Sequence, residues 1–398
     1  MAARAHIAML VAAAALAGPA SAKVYTEVRP RVTLLGGFDD NVPLDATAAT
    51  SGDYFGRAQP GLRLDIFGEH RMHIDIDCQG SIARLGHPEH FGMGSSDFAT
   101  GQQCAAGYSE RLSNRFTLRL RSRAGYTQDP LAISGLGLLL RPGQTHVFQG
   151  RLGGEAELNT SPRTLWTFAL DSEALAFGEN DPGNGGFVAP SITYGYRTTS
   201  YTRWEATVRE KLFFAFGAPP SALSRTGVPG GLLNQAHTAM GGYVRRLSAV
   251  TTLTARAGAS YVTGRFSPDQ VEPVVRLELE STLRDWGAHL LFGHDLTIGA
   301  TRAGALGADL AEASLLGKLG KFEGHLRADI YRNTPVGDWA TRGSIGYSGE
   351  VDVDYRVAKE WTVGVAALRD ARLTDVDVGR QVDRDVVQLR VTWERARN

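Results

Sequence analysis

Polar and apolar side chains alternate along this chain in run after run, and few architectures accept such a pattern. Residues 72–78 read Met-His-Ile-Asp-Ile-Asp-Cys, apolar at even numbers and polar at odd ones. Phe116, Leu118, Leu120, Ala124 and Tyr126 alternate with Arg115, Thr117, Arg119, Arg121 and Arg123. Val275, Leu277, Leu279 and Leu283 alternate with Arg276, Glu278, Glu280 and Arg284. Val351, Val353, Tyr355 and Val357 alternate with Glu350, Asp352, Asp354 and Arg356, and residues 386–394 follow suit. A helix would spread these charges around its circumference, whereas an extended strand sorts them onto one face. The runs predict half-buried strands.

Turn chemistry separates them, as at Pro182-Gly183-Asn184-Gly185-Gly186, Pro229-Gly230-Gly231, Ser113-Asn114 and Asn333-Thr334-Pro335. Strands are predicted near 28–38, 55–67, 70–84, 97–111, 114–126, 144–158, 163–177, 186–197, 200–216, 234–247, 250–266, 271–284, 286–299, 307–319, 321–332, 342–357, 360–371 and 384–395. That is about eighteen, an even number as closed bacterial barrels require. The connections alternate between short turns and longer loops, the arrangement of an outer-membrane barrel with periplasmic turns and external loops. No fixed-period repeat points to a propeller or solenoid.

The amino terminus sets the compartment. Residues 1–22 place Arg4 before an apolar stretch, Ile7 to Leu16, then Gly18-Pro19 and a small-x-small end, Ala20-Ser21-Ala22. This is the pattern of a cleaved export signal, which leaves 23–398 as a single exported unit. Within 23–398 no apolar run reaches the ~18 residues of a spanning helix; Ser134, Gly135 and Gly137 interrupt the densest stretch, Leu131 to Leu140. Lys+Arg and Asp+Glu both count 42, and a net charge of zero argues against nucleic acid held by bulk electrostatics. Two cysteines are too few for a disulfide-built scaffold.

Stacked soluble sheets also alternate, but here the polar face carries charges of both signs in mid-strand. Trp166, Trp204, Tyr261, Tyr355, Trp361 and Trp393 lie on the apolar register, several near strand ends, as in the aromatic girdles of membrane barrels. The expected architecture is a closed antiparallel up-and-down barrel. Its lumen would be lined by Arg115, Arg119, Arg121, Arg123, Asp171, Glu173, Arg203, Glu205, Arg209, Lys211, Arg276, Glu278, Glu280, Arg284, His325, Arg327, Asp329, Asp352, Asp354, Arg356 and Arg390. Residues 114–126 then form a basic stripe and 342–357 a largely acidic one, around a wide, hydrated, charged channel.

Catalysis finds little support: the chain lacks Gly-x-Ser-x-Gly, His-Glu-x-x-His and a Walker loop. Neither an enzyme nor a cofactor is expected. His87-Pro88-Glu89-His90 reads as a solvated loop tip rather than a metal site. Asp39-Asp40-Asn41 with Asp45 lacks the spacing of a calcium loop and reads as a turn with Asx hydrogen bonds. A hairpin of 70–84 with 97–111 brings Cys78 opposite Cys104, close enough for a bridge in an oxidising compartment. Two separate small apolar residues on the lipid face are the alternative.

The first mature strand, Arg31-Val32-Thr33-Leu34-Leu35-Gly36-Gly37-Phe38 followed by Asp39-Asp40-Asn41-Val42, resembles the opening of outer-membrane barrels found in exopolysaccharide operons. In size and strand number, 23–398 is also similar to the polysaccharide export barrels of myxobacteria. The resemblance implies a passive conduit for a polysaccharide, set in outer-membrane lipid and completed by a separate periplasmic export protein. It brings no catalytic residue. A general diffusion porin for small solutes and a plugged structural or adhesive barrel are the competing expectations.

Overall fold

The computed structural model describes residues 24–40, 52–86, 98–128, 147–177, 184–216, 231–264, 269–298, 304–336, 344–372 and 382–396. The expected export signal and His87–His90 lie outside them. Among the described residues are β1 (Tyr25–Asp39), β2 (Asp53–Phe67), β3 (His73–Leu85), β4 (Phe98–Glu110), β5 (Phe116–Thr127), β6 (Val147–Asn159), β7 (Thr164–Ala176), β8 (Gly185–Arg197) and β9 (Thr202–Ala215). These continue into β10 (Gly231–Arg246), β11 (Thr251–Gly264), β12 (Gln270–Thr282), β13 (Trp286–Thr297), β14 (Leu306–Leu319), β15 (Phe322–Pro335), β16 (Ser344–Arg356), β17 (Trp361–Arg372) and β18 (Val382–Glu394). Each strand pairs antiparallel with its sequence neighbours, and β1 pairs with β18 as well as β2, so the 18-stranded sheet closes on itself. Closure removes every sheet edge, which a hydrocarbon environment demands.

Side chains from the sequence itself hold the short turns. Ser113 Oγ accepts from the backbone N–H of Arg115 at 3.2 Å and of Phe116 at 3.0 Å. Ser161 Oγ does the same for Arg163 and Thr164, both at 3.1 Å. The turn between β14 and β15 places Gly320 at φ 60°, a left-handed conformation that costs glycine little. The turns that follow the even-numbered strands are short and lie together at one end of the barrel. The short-turn end is the periplasmic one by the rule of such barrels.

The seam between β1 and β18 is polar and tight. Asp39 accepts from Arg384 Nε at 2.9 Å, with both side chains fully buried. Asp40 Oδ1 accepts the backbone N–H of Asp385 at 2.6 Å. Arg29 bridges Glu394 at 3.2 Å near the periplasmic end. The expected Asx turn at Asp39-Asp40 is therefore corrected: β1 runs on to Asp39, and both carboxylates are spent on closing the barrel. Asn41 and Asp45 lie outside the described residues.

The outer wall is apolar and uncovered. Leu290, Phe292, Ile330 and Leu389 are each at least half exposed. Trp204, Trp286, Tyr355 and Trp361 lie on the same face near the short turns. Such a wall is stable in lipid and not in water, so the chain crosses the bacterial outer membrane as a closed barrel. Cys78 and Cys104 face each other in the β3–β4 register, Cα atoms 4.1 Å apart, and their sulfurs are bonded on this outer face.

Candidate functional site: the lumen

Register decides which residues share the inner face. Thr33 pairs with Gln59, Gln79 with Gln103, and Arg123 with Arg151. All six line one cavity of about 830 Å³, bounded by β1–β6 on one side and β15–β18 on the other. The same parity places Arg119, Arg121, Asp171, Glu173, Arg203, Glu205, Arg209 and Lys211 on the inner face of β5, β7 and β9. Arg276, Glu278 and Glu280 face inward from β12, and His325, Arg327 and Asp329 from β15. Asp352, Asp354, Arg356 and Arg390 complete the set from β16 and β18. Arg115 and Arg284 fall in short turns.

Most of these charges are paired within the wall, and glycine makes the pairing possible. Gly242 on β10 stands between Glu205 on β9 and Arg256 on β11. A Cβ on Gly242 would lie 3.1 Å from each of those side chains. Over that gap Arg256 reaches Glu205 at 2.8 Å, and Arg203 binds the same carboxylate at 2.6 Å. Gly364 on β17 likewise separates Asp354 from Arg390. Arg390 spans it to Asp354 at 3.0 Å through Nε and to Asp352 at 2.7 Å through Nη1. Arg31 passes over Gly61 to reach Asp77 at 3.0 Å. The acidic stripe on β16 is thus largely neutralised two strands away.

On β5 the neutralisation is uneven. Arg119 binds Glu155 at 2.6 Å and Glu157 at 3.1 Å. Arg151 on β6 binds Glu173 at 3.0 Å. Arg123 is held by the side-chain oxygen of Gln103, at 2.8 Å from Nη2 and 3.1 Å from Nε. Arg121 stands between Gly107 and Gly153 in register. The sequence reading missed the partners Glu155, Glu157, Arg256 and Asp295. The first three continue the parity of alternating runs, so the signal was present in the strand period itself.

The expectation of a hydrated, charged lumen needs correction near the extracellular end. There Val147, Leu175, Phe177, Phe213, Ala236, Val262, Leu296, Ile298, Ala305 and Val336 form one buried apolar cluster. It draws on strands from β6 to β15, facing the cavity side. Arg209 on β9 reaches Asp295 on β13 at 2.8 Å. Asn234 Oδ1 on β10 accepts the backbone N–H of Ala305 at 3.1 Å. From β9 to β13 the wall spans roughly 19 Å at the usual strand spacing, beyond the joint reach of these side chains. The β13–β14 end therefore leans into the lumen. Lys211 sits under it, 4.2 Å from the Phe187 ring centroid, and donates to the Leu296 carbonyl. Sequence reading overlooked this because alternation fails here: residues 212–215, Leu-Phe-Phe-Ala, are apolar on both faces.

Among the described residues no group of three or more His, Cys, Asp or Glu side chains is arranged to hold a metal ion. No family model matches the chain, and no curated protein does. Among solved structures it is similar to OccK1 (OpdK) of Pseudomonas aeruginosa, at 11% identity and a TM-score of 0.42 over 93% of this chain and 98% of that one. It is similar to OccAB4 of Acinetobacter baumannii at 8% identity and 0.42, over 93% and 98% of the two chains. The siderophore receptor PirA of Pseudomonas aeruginosa follows at 8% and 0.40, over 93% and 80%. Likeness at this level carries nothing about cargo.

Proposed function

We propose that this protein is an outer-membrane channel through which small hydrophilic solutes diffuse, a general porin in type. The observation that carries the reading is the lumenal cavity of about 830 Å³ walled by polar side chains. That volume is on the scale of sites for single small molecules, ~300–1,000 Å³. Gln59, Gln79, Gln103, Gln149 and Gln388 line it and offer both donors and acceptors. Such groups replace part of a solute's hydration without binding it tightly, which is what passage requires. The wall charges, largely paired with one another, hold the cavity open as fixed structure. No catalytic step and no cofactor belong to this reading.

Export of a polysaccharide, which the resemblance implied, requires a bore that a hydrated polymer can thread from end to end. The apolar cluster filling the β6–β15 side of the extracellular end weighs against it. With passive diffusion of small solutes, no periplasmic export protein is required. The test is solute-driven swelling of liposomes carrying the purified protein, beside a clean deletion strain. Monosaccharides and amino acids are expected to enter while long oligosaccharides are excluded, and the deletion strain is expected to keep its surface carbohydrate. Loss of a surface polysaccharide on deletion, restored by complementation, would replace this reading with the export one.

A further inference from the structure

We infer that Arg121 and Arg123 form a binding site for small oxyanions, the carboxylate or phosphate group being the feature recognised. The site rests on the channel reading and names the solutes the channel favours. Many guanidinium groups on the inner wall are spent on carboxylates: Arg31 on Asp77, Arg119 on Glu155 and Glu157, Arg151 on Glu173, Arg390 on Asp352 and Asp354. Among the described residues, Arg121 and Arg123 have no carboxylate within ion-pairing distance. The partner that fixes Arg123 is the neutral amide of Gln103, which orients the guanidinium and leaves its charge uncompensated.

Space and access point the same way. Arg121 is flanked in register by Gly107 and Gly153, and the carboxylates of Asp75 and Asp171 reach over these glycines from the next strands without coming within ion-pairing distance of it. Both arginines are exposed to the lumen, and Arg123 lines the cavity. They are two residues apart on one strand face, about 7 Å along the wall. Two planar forks at that spacing present more donors than any single wall group can use, and a carboxylate or phosphate accepts from such forks bidentately. Asp75 and Asp171 lie one strand beyond Gly107 and Gly153 respectively. Their field weakens the hold on an anion, which lets a bound solute leave.

Planar-bilayer recording of the full chain tests this. In a potassium chloride gradient the reversal potential is expected on the anion-selective side, and acetate or inorganic phosphate is expected to block the chloride current. In the double variant R121Q/R123Q the blocking affinity is expected to fall roughly tenfold, the equivalent of one charge-assisted hydrogen bond. R115Q, in the turn below, is expected to change nothing. Block by acetate alone assigns carboxylates, by phosphate alone assigns phosphates, and by both assigns the shared group. Conductance with no block by either anion, or block that survives in the double variant, overturns the site. Absence of all conductance overturns the channel reading instead. The site is then decided by calorimetric titration of acetate and phosphate into detergent-solubilised protein. Heat lost in the double variant supports it, and no heat in the native chain overturns it.

Discussion

Arg384 and Asp39 show what a single residue does in this barrel. Their contact lies on the seam where the first and last strands meet, and neither side chain is accessible. A buried pair of this kind adds little over an apolar one, but breaking it strands a charge. Arg384→Ala is expected to cost about 3–5 kcal/mol, read as a lower transition when unfolding is followed by heat-dependent migration on gels. A variant as stable as the native chain would show that the seam does not depend on the pair. The parity of Asp39 and Arg384 was readable from alternation, but their partnership was not. It depends on the β1–β18 register, which joins residues at opposite ends of the chain. The role of Gly242 and Gly364 was hidden for the same reason: a glycine becomes a passage for an ion pair only once its two flanking strands are known. With 47 glycines in the chain, the sequence offers no means of choosing these two.

At the scale of elements, the hairpin β3–β4 carries the clearest prediction. Its ladder already aligns Cys78 with Cys104, so the bridge adds a covalent tie to a register fixed by neighbours on both sides. In the chain-entropy account a closed loop of this size stabilises by about 3–4 kcal/mol, through the unfolded state. Replacing both cysteines by serine is expected to lower resistance to denaturant while leaving conductance unchanged. Two free thiols in the unreduced native protein, seen by mass spectrometry, would contradict the bridge. Strand identity was legible because period two persists through the membrane-crossing part of every strand. It fades near the extracellular ends, where Phe213, Val262 and Leu296 are buried on the lumen side and apolar residues occupy both faces. The inward lean of the β13–β14 end was not legible, since it follows from contacts such as Arg209 to Asp295 between strands that are not neighbours.

The whole molecule is a closed wall with an unequal interior. One side, from β15 through β18 to β6, keeps a polar cavity, and the other is filled with apolar side chains near its extracellular end. Solutes are expected to follow the polar side, because an apolar cluster offers a hydrated molecule nothing in exchange for its water. This can be read directly by single-channel recording in a background with Cys78 and Cys104 replaced by serine. One cysteine is introduced at Gln388, on the cavity wall, and in a separate protein at Val262, inside the cluster. A bulky water-soluble thiol reagent is expected to reduce the current through Gln388→Cys and leave Val262→Cys unaffected. Block at Val262→Cys with none at Gln388→Cys would contradict the account, placing the path through the side assigned here to packing.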